Sequence, residues 1–295
     1  MRFLSLSLGV LSAVTISAAA AQTTGDGALL GATAFGATGS IKVFNVAGSV
    51  RLVGWDKDSV VVRGRVPRGQ HFAFRRLGDA SSALMMGMLD VGGEGDRPCD
   101  FVAYVPRRAT VAVKTVTADI DGMDVSGWFY SASGAVHLRG AAASVDIQSI
   151  NGSIDADVAT GIVRAKTGDG HLLLRGSPQD ADVSTISGTL DIAAPSLLRG
   201  QFASVSGDIH YTGSPLAGAI FEFSNHSGAV DLVLPGAASG IFTLSSVTGA
   251  IENGVSLVRP ASNAPHSLRL ALGKAASGAQ VTVRTFKGTI RLRPQ

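Results

Sequence analysis

The sequence predicts an all-β chain folded as a parallel β-solenoid, a β-helix-like coil with two short strands in each turn of 18–21 residues. Three observations predict it. A small residue recurs nine times, at Ala118, Gly134, Gly152, Gly170, Gly188, Gly207, Gly228, Gly249 and Gly288. Two positions after this key stand Ile120, Val136, Ile154, Leu172, Leu190, Ile209, Val230, Ile251 and Ile290, all aliphatic. Three positions before it stand Thr115, Ser131, Ser149, Thr167, Thr185, Ser204, Asn225, Ser246 and Thr285, all polar. Self-similarity at such a period marks an array of one structural unit that buries its apolar edge against its neighbours.

Within each unit the residue five before the key is apolar: Val113, Phe129, Ile147, Ala165, Val183, Phe202, Phe223, Leu244 and Val283. Alternation on both sides of the key requires extended strands, whose successive side chains point to opposite faces. The polar residue before a small one requires a sharp corner between them. Successive coils then stack in parallel about 4.8 Å apart, so nine or ten rungs make a rod of roughly 45 Å. The second corner varies in length and tolerates insertions, as at Arg139 to Ala143 and Pro195 to Gly200. Between Gly249 and Gly288 the key skips 39 residues. This predicts an irregular coil over 253–280, or a hairpin made by Leu268 to Leu272 and Gln280 to Phe286.

The array is expected to occupy residues 111–295, preceded by N-terminal strands and a cap over 40–110. Residues 1–21 have the form of a secretory signal: Arg2, an apolar run from Phe3 to Ile16, and Ala19-Ala20-Ala21 before a mature start at Gln22. The run is short of the roughly 20 residues that span a bilayer, and no later segment has transmembrane character. Residues 22–39, small and glycine-rich, predict a flexible lead. Three strands follow through Ile41, Val43 and Val46, then Val50 and Leu52, then Val60 and Val62, with Asp56-Lys57-Asp58 as a hairpin tip. Pro67, Arg75-Arg76, the Leu84-Met85-Met86-Gly87-Met88 stretch and the Gly92-Gly93-Glu94-Gly95 loop break the rhythm. A short helix is expected only here, and its methionines suit either the end of the solenoid or a ligand groove.

The 25 basic and 22 acidic residues are interspersed and give a net charge of +3, or +2 without Arg2, so no basic stripe points to nucleic acid. Cys99 is alone, which excludes an intramolecular disulfide. It is expected as a buried thiol, with pairing between molecules as the alternative.

Two columns invite a chemical reading. The Ser/Thr/Asn column predicts a ladder that satisfies backbone groups at a tight corner, and alternatively a hydroxyl face for sugar or ice. Three after the key stand Asp121, His137, Asp155, Leu173, Asp191, His210, Asp231, Glu252 and Arg291. Acid alternates with non-acid from Asp121 to Asp231, as stacked strands favour, since like charges directly opposite cost roughly 0.2 to 1 kcal/mol. No metal site is expected; Asp231 and Glu252 are the adjacent acids, and a weak divalent-cation site there is the alternative. His210 is expected to pair with Asp191 or Asp231. Hydrolase, zinc-protease, P-loop and dinucleotide signatures are missing, so no catalytic residue and no cofactor is expected.

The run Gly48 to Val62 (GSVRLVGWDKDSVVV), Tyr104-Val105-Pro106 before Val111, and the repeated Ser-Gly-Asp/Ala-Ile/Val corners resemble an adhesin family of exported bacterial repeat proteins. The resemblance covers roughly Ser40 to Leu292. It implies a β-solenoid and surface attachment, and it carries no catalytic residues. Together with the residues it predicts a noncatalytic scaffold, periplasmic or at the cell surface, whose partner is an envelope protein or a surface polymer. A carbohydrate-active β-helix enzyme and an envelope stress or signalling accessory are the alternatives.

Overall fold

The computed structural model describes residues 27–77, 82–88, 97–141, 143–159, 161–195, 197–256 and 263–295. The leader expected over residues 1–21 and the loop expected at residues 92–95 lie outside them. The N-terminal strands are β1 (Ala28–Ala34), β2 (Ser40–Asn45), β3 (Gly48–Trp55), β4 (Ser59–Arg65), β5 (Phe72–Arg76), β6 (Ala83–Met88) and β7 (Cys99–Pro106). Coils of paired strands follow: β8 and β9 (Thr110–Thr115, Asp119–Met123), β10 and β11 (Ser126–Ser131, Val136–Ala141), β12 and β13 (Val145–Ser149, Ile154–Val158), β14 and β15 (Ile162–Thr167, Leu172–Gly176). Next come β16 and β17 (Asp180–Thr185, Leu190–Ala193), β18 and β19 (Arg199–Ser204, Ile209–Thr212), β20 and β21 (Ile220–Asn225, Val230–Leu234). The chain closes with β22 (Gly240–Ser246), β23 (Ile251–Asn253), β24 (Ser267–Leu272), a 3-10 turn at Ala275–Ser277, β25 (Ala279–Thr285) and β26 (Ile290–Pro294).

These strands form two long open sheets. The first runs β1-β4-β7-β3-β9-β11-β13-β15-β17-β19-β21-β26-β23, and the second β5-β6-β2-β8-β10-β12-β14-β16-β18-β20-β25-β22-β24. Once the antiparallel strands β1, β4, β5 and β24 are set aside, eleven parallel rungs remain among the described residues. The aliphatic column after the key stacks residue on residue in the first sheet, as Ile120 on Val136 and Leu190 on Ile209. The column before the key does so in the second, as Phe129 on Ile147 and Phe202 on Phe223. Both columns point between the sheets, where almost all of their members are buried, and each such side chain contributes about 1.5–3 kcal/mol relative to leaving it in water.

The corner explains the key. A methyl group at Gly134, Gly152, Gly170, Gly188, Gly207 or Gly228 would collide with the carbonyl of the key residue one rung before it. None of these glycines takes a left-handed φ. Glycine is demanded by the approach of neighbouring backbones, not by the conformation of the turn.

Both ends depart from chain order. At the N-terminal end, β2 and β3 already form a rung in the array register: Asn45, Gly48, Val50 and Leu52 occupy the columns of Thr115, Ala118, Ile120 and Gly122. The array therefore begins at Ser40, where a cap over 40–110 was expected. β6 and β7 stack parallel on the outer side of that rung, although they come later in the chain. β7 separates β3 from β4, pairing parallel with one and antiparallel with the other, so Asp56-Lys57-Asp58 is not a hairpin tip. The expected lead contains edge strand β1, which pairs antiparallel with β4. The methionine-rich stretch is not helical. It is strand β6, held in a hairpin with β5, and Met86 fills the core at the end of the rod.

The C-terminal end repeats the device. β25 and β26 insert between the rung β20/β21 and the rung β22/β23. β24 pairs antiparallel with β22 and lies outside it, so the expected hairpin of Leu268 to Leu272 with Gln280 to Phe286 does not form.

Two buried groups give direct tests of this packing. Cys99 opens β7 and is fully buried, and its thiol is pushed from an ordinary 9.0 up to about 11 by burial, with the charge of Asp100 adding. The folded value lies above the unfolded one, so this contribution to stability is fully present below about pH 9 and is lost as pH rises from there towards 11. Iodoacetamide at about pH 8 is expected to leave the native thiol unmodified and to label it only in denaturant; fast labelling of the folded chain would contradict the burial. Tyr211 lies against Phe221 and Phe223, and its Oη has no hydrogen-bond partner among the described residues. Burial pushes this phenol up. Tyr211→Phe is expected to be neutral or to stabilise by up to about 1 kcal/mol, read from the urea midpoint.

Candidate functional site

The hydroxyl column belongs to the corner, not to a binding face. Its members are buried. Oxygens of Ser131, Ser149, Thr185, Asn225 and Ser246 accept the N–H of the key glycine three residues on, at 2.8–3.1 Å. Thr167 and Asn225 also donate to the key carbonyl of the preceding rung, at 3.1 and 2.8 Å. Groups spent in this way hold the turn that the glycine permits.

The outward stripe on the first sheet carries the titratable column that the sequence singled out. Its spatial order is Arg51, Asp121, His137, Asp155, Leu173, Asp191, His210, Asp231, Arg291 and Glu252. Asp231 and Glu252 are therefore not neighbours. The inserted β26 sets Arg291 between them, Nε at 3.1 Å from Glu252 and Nη1 at 3.6 Å from Asp231. No cluster of three or more metal-ligating side chains occurs among the described residues. Two acids with a guanidinium between them form a charge ladder, not a cation site, because the arginine already neutralises the field that a cation would need.

Other carboxylates are held in the same way. His210 Nδ1 lies 3.4 Å from Asp231, whose carboxylate is mostly buried and also has Arg293 at 3.7 Å. Arg175 donates to both oxygens of Asp155 at 2.9 Å. Asp191 takes His171 at 3.3 Å, so it is Asp231 that pairs with His210. Replacing Arg291 with glutamine is expected to cost about 1 kcal/mol, and with glutamate about twice that, because three carboxylates would then stand in consecutive rungs. Urea midpoints at low and high salt test this, since a deficit of charge origin shrinks as salt is added.

Two shallow depressions lie outside the columns that the sequence singled out. One, of about 290 Å³, opens on the first sheet and is lined by Arg51, Asp121, Met123, His137 and Arg139. Leu52, Val53 and Gly122 complete its lining. Its four titratable groups make no ion pair among the described residues. The other, of about 300 Å³, opens on the second sheet beside Gly200 and carries Arg164, Asp180, Asp182, Arg199 and Glu222. There Arg199 holds Asp180 at 2.9 Å and Arg284 holds Glu222. No glycine marks either of them: Gly122 and Gly200 are buried, where a Cβ would meet Leu138 or Phe202.

The Toastrack DUF4097 family profile matches residues 36–293. The chain belongs to that family. The match begins before Ser40, as the early start of the coil requires. Solved structures similar to this Toastrack chain include a "putative adhesin" from Bacteroides fragilis, 13% identical, covering 88% of this chain and 94% of that one with a TM-score of 0.38. A second "putative adhesin", from Parabacteroides merdae, is 10% identical and covers 91% and 97% with a TM-score of 0.29. A "putative cell adhesion protein" from Clostridium sporogenes is 9% identical and covers 89% and 94% with a TM-score of 0.25. No curated protein matches the chain.

Proposed function

We propose that this Toastrack chain is an adhesin-like, noncatalytic exported scaffold that binds an envelope protein or a surface polymer through its long sheet faces. The observation that carries this reading is the charge ladder: outward carboxylates alternate with non-acidic residues from rung to rung, point in parallel, and are mostly spent on neighbouring basic side chains. Catalysis by paired carboxylates needs two of them converging across one bond. Export rests on the form of residues 1–21. The depression around Arg51, Asp121, His137 and Arg139 gathers unspent charge on the first sheet, and it is the place where a polar ligand would be gripped.

The test immobilises the chain and exposes it to envelope extract and to a glycan array, beside an Arg51→Glu/Arg139→Glu variant. One protein or glycan retained by the wild type and lost by the variant is the expected result. Equal capture by both would remove the depression from the proposal.

A carbohydrate-active enzyme is the rival, and the second sheet is where it would act. Asp182 and Glu222 flank Gln201 two rungs apart, about 9–10 Å by strand spacing, near the upper limit for an inverting pair. Release of sugar from a polysaccharide by the wild type, absent in Asp182→Asn, would overturn the scaffold reading.

A further inference from the structure

The glycine corner carries a second column, two residues before the key, which the function above does not use. In spatial order it is Val46, Val116, Ala132, Ile150, Gly168, Ile186, Val205, His226, Phe286 and Val247. An unbroken backbone ladder fixes this order, in which the residue after each column member donates to the column carbonyl one rung before: Ser133 to Val116, Ser206 to Ile186, Ser227 to Val205, Lys287 to His226 and Thr248 to Phe286. Corners in water usually take polar residues. Here Val116, Ile150, Ile186, Val205, Phe286 and Val247 are between 42% and 59% exposed. The ridge runs about 43 Å at a rung spacing of about 4.8 Å.

Its surroundings are asymmetric. Hydroxyls of Thr117, Ser133, Ser206, Ser227 and Thr248 are turned onto the column carbonyls, which leaves the crest almost without charge. Asp169 on the crest accepts from Ser187, and Lys287, several rungs away, is the cation on the crest. On the second-sheet flank the outward position nearest the corner presents exposed Lys114 and Lys166 on either side of Tyr130 and Gln148. Arg284 further along is engaged with Glu222. On the opposite flank Asp119 and Asp208 each spend an oxygen on a backbone N–H of the next rung.

A convex ridge suits a soft apolar medium. Two such ridges meet along a line and do not enclose the roughly 1,200 Å² that a stable dimer buries. An apolar stripe bordered by lysines and a tyrosine is the arrangement of elements that lie in a lipid interface. We propose that this corner lies along an anionic bilayer, with the valines, isoleucines and Phe286 below the headgroups and Lys114, Lys166 and Lys287 against lipid phosphates. The corner is separate from both sheet faces, so lipid binding and ligand capture are expected to fail independently.

The test is co-sedimentation of the chain from Gln22, lacking the leader, with vesicles of phosphatidylcholine alone or mixed with phosphatidylglycerol. Binding to the mixed vesicles that weakens with salt is expected. Each lysine at such a surface contributes about fivefold in partition, so Lys114→Glu/Lys166→Glu should bind more than tenfold more weakly. Ile150→Ser/Ile186→Ser/Val205→Ser/Val247→Ser should lose binding while its melting temperature and its capture of the sheet-face ligand persist. Ile186→Cys carrying an environment-sensitive dye should shift to the blue on vesicles, and Asp182→Cys should not; buried Cys99 stays unlabelled in both. Absence of wild-type binding, a fully active serine variant or an unshifted dye at position 186 would overturn the proposal. So would a wild-type dimer in light scattering that the serine variant converts to monomer, which would assign the ridge to a second copy.

Discussion

Gly207→Ala is expected to lower the stability of the rod by about 3 kcal/mol, at the upper end of the cost of overpacking, because the added methyl meets the carbonyl of Gly188 and cannot swing away from it. On the scaling for chains of comparable size this is a fall in melting temperature of about 6–12 °C. The paired control is Gly236→Ala, at an exposed loop position where a methyl meets nothing and φ is not left-handed. That substitution should be neutral or slightly stabilising, since it only restricts the unfolded chain. Thermal unfolding of the two variants separates the explanations. If both lose stability alike, the loss does not come from contact with the Gly188 carbonyl and the corner is not closely packed.

Ala118 supports the same reading from the other side. It is the one key that is not glycine, and it faces the corner of β2 and β3, where Gly48 takes a φ of 99° instead of the conformation of the later keys. Exchanging the two types is therefore expected to be asymmetric: Ala118→Gly costs little more than backbone freedom, whereas alanine at Gly152 or Gly207 forces two rungs apart. A rod in which each unit touches only its neighbours localises such damage, so protease cleavage in the Gly207 variant should concentrate near its own rung.

The apolar columns were legible because burial between two sheets leaves a period of two on each side of a fixed corner. What the columns do not encode is the order of rungs. Val283 can rest on Phe223 or on Leu244 with equal apolar match, so β25 and β26 fit equally well inside the stack or at its end. Only the charge column distinguishes the two. Read along the chain, its alternation fails once, where Glu252 follows Asp231; this looked like a cation site and was the mark of a rung missing from between them. Arg291 supplies the missing sign. At the other end, Asn45 and Gly48 carried the register, but a separation of 54 positions between Asn45 and Cys99, whose carbonyl Asn45 holds, parts the rung from its outer neighbour. The depression on the first sheet was not legible, because it needs Arg51 set beside Asp121, a neighbour distant in the chain that only the stacking of β3 on β9 supplies.

Ending the chain at Gly278 is expected to test that ordering most severely. The truncation removes β25 and β26, and with them the buried Val281, Val283, Ile290 and Leu292 that separate two rungs. Even after the ordering entropy of those residues is returned, the loss of a whole rung is on the order of several kcal/mol. The remaining β22 and β23 can recover only by dropping one rung onto β20 and β21, where Leu244 meets Phe223 and Ile251 meets Val230 in the same register. That slip sets Glu252 directly on Asp231 with no arginine between them. Glu252→Gln should therefore raise the urea midpoint of the shortened chain, while in the full chain it removes a partner of Arg291 and should be neutral or slightly destabilising. The opposite signs in the two backgrounds are the diagnostic. If Glu252→Gln acts alike in both, β22 and β23 do not restack, and the shortened chain instead ends at β21 with an open core.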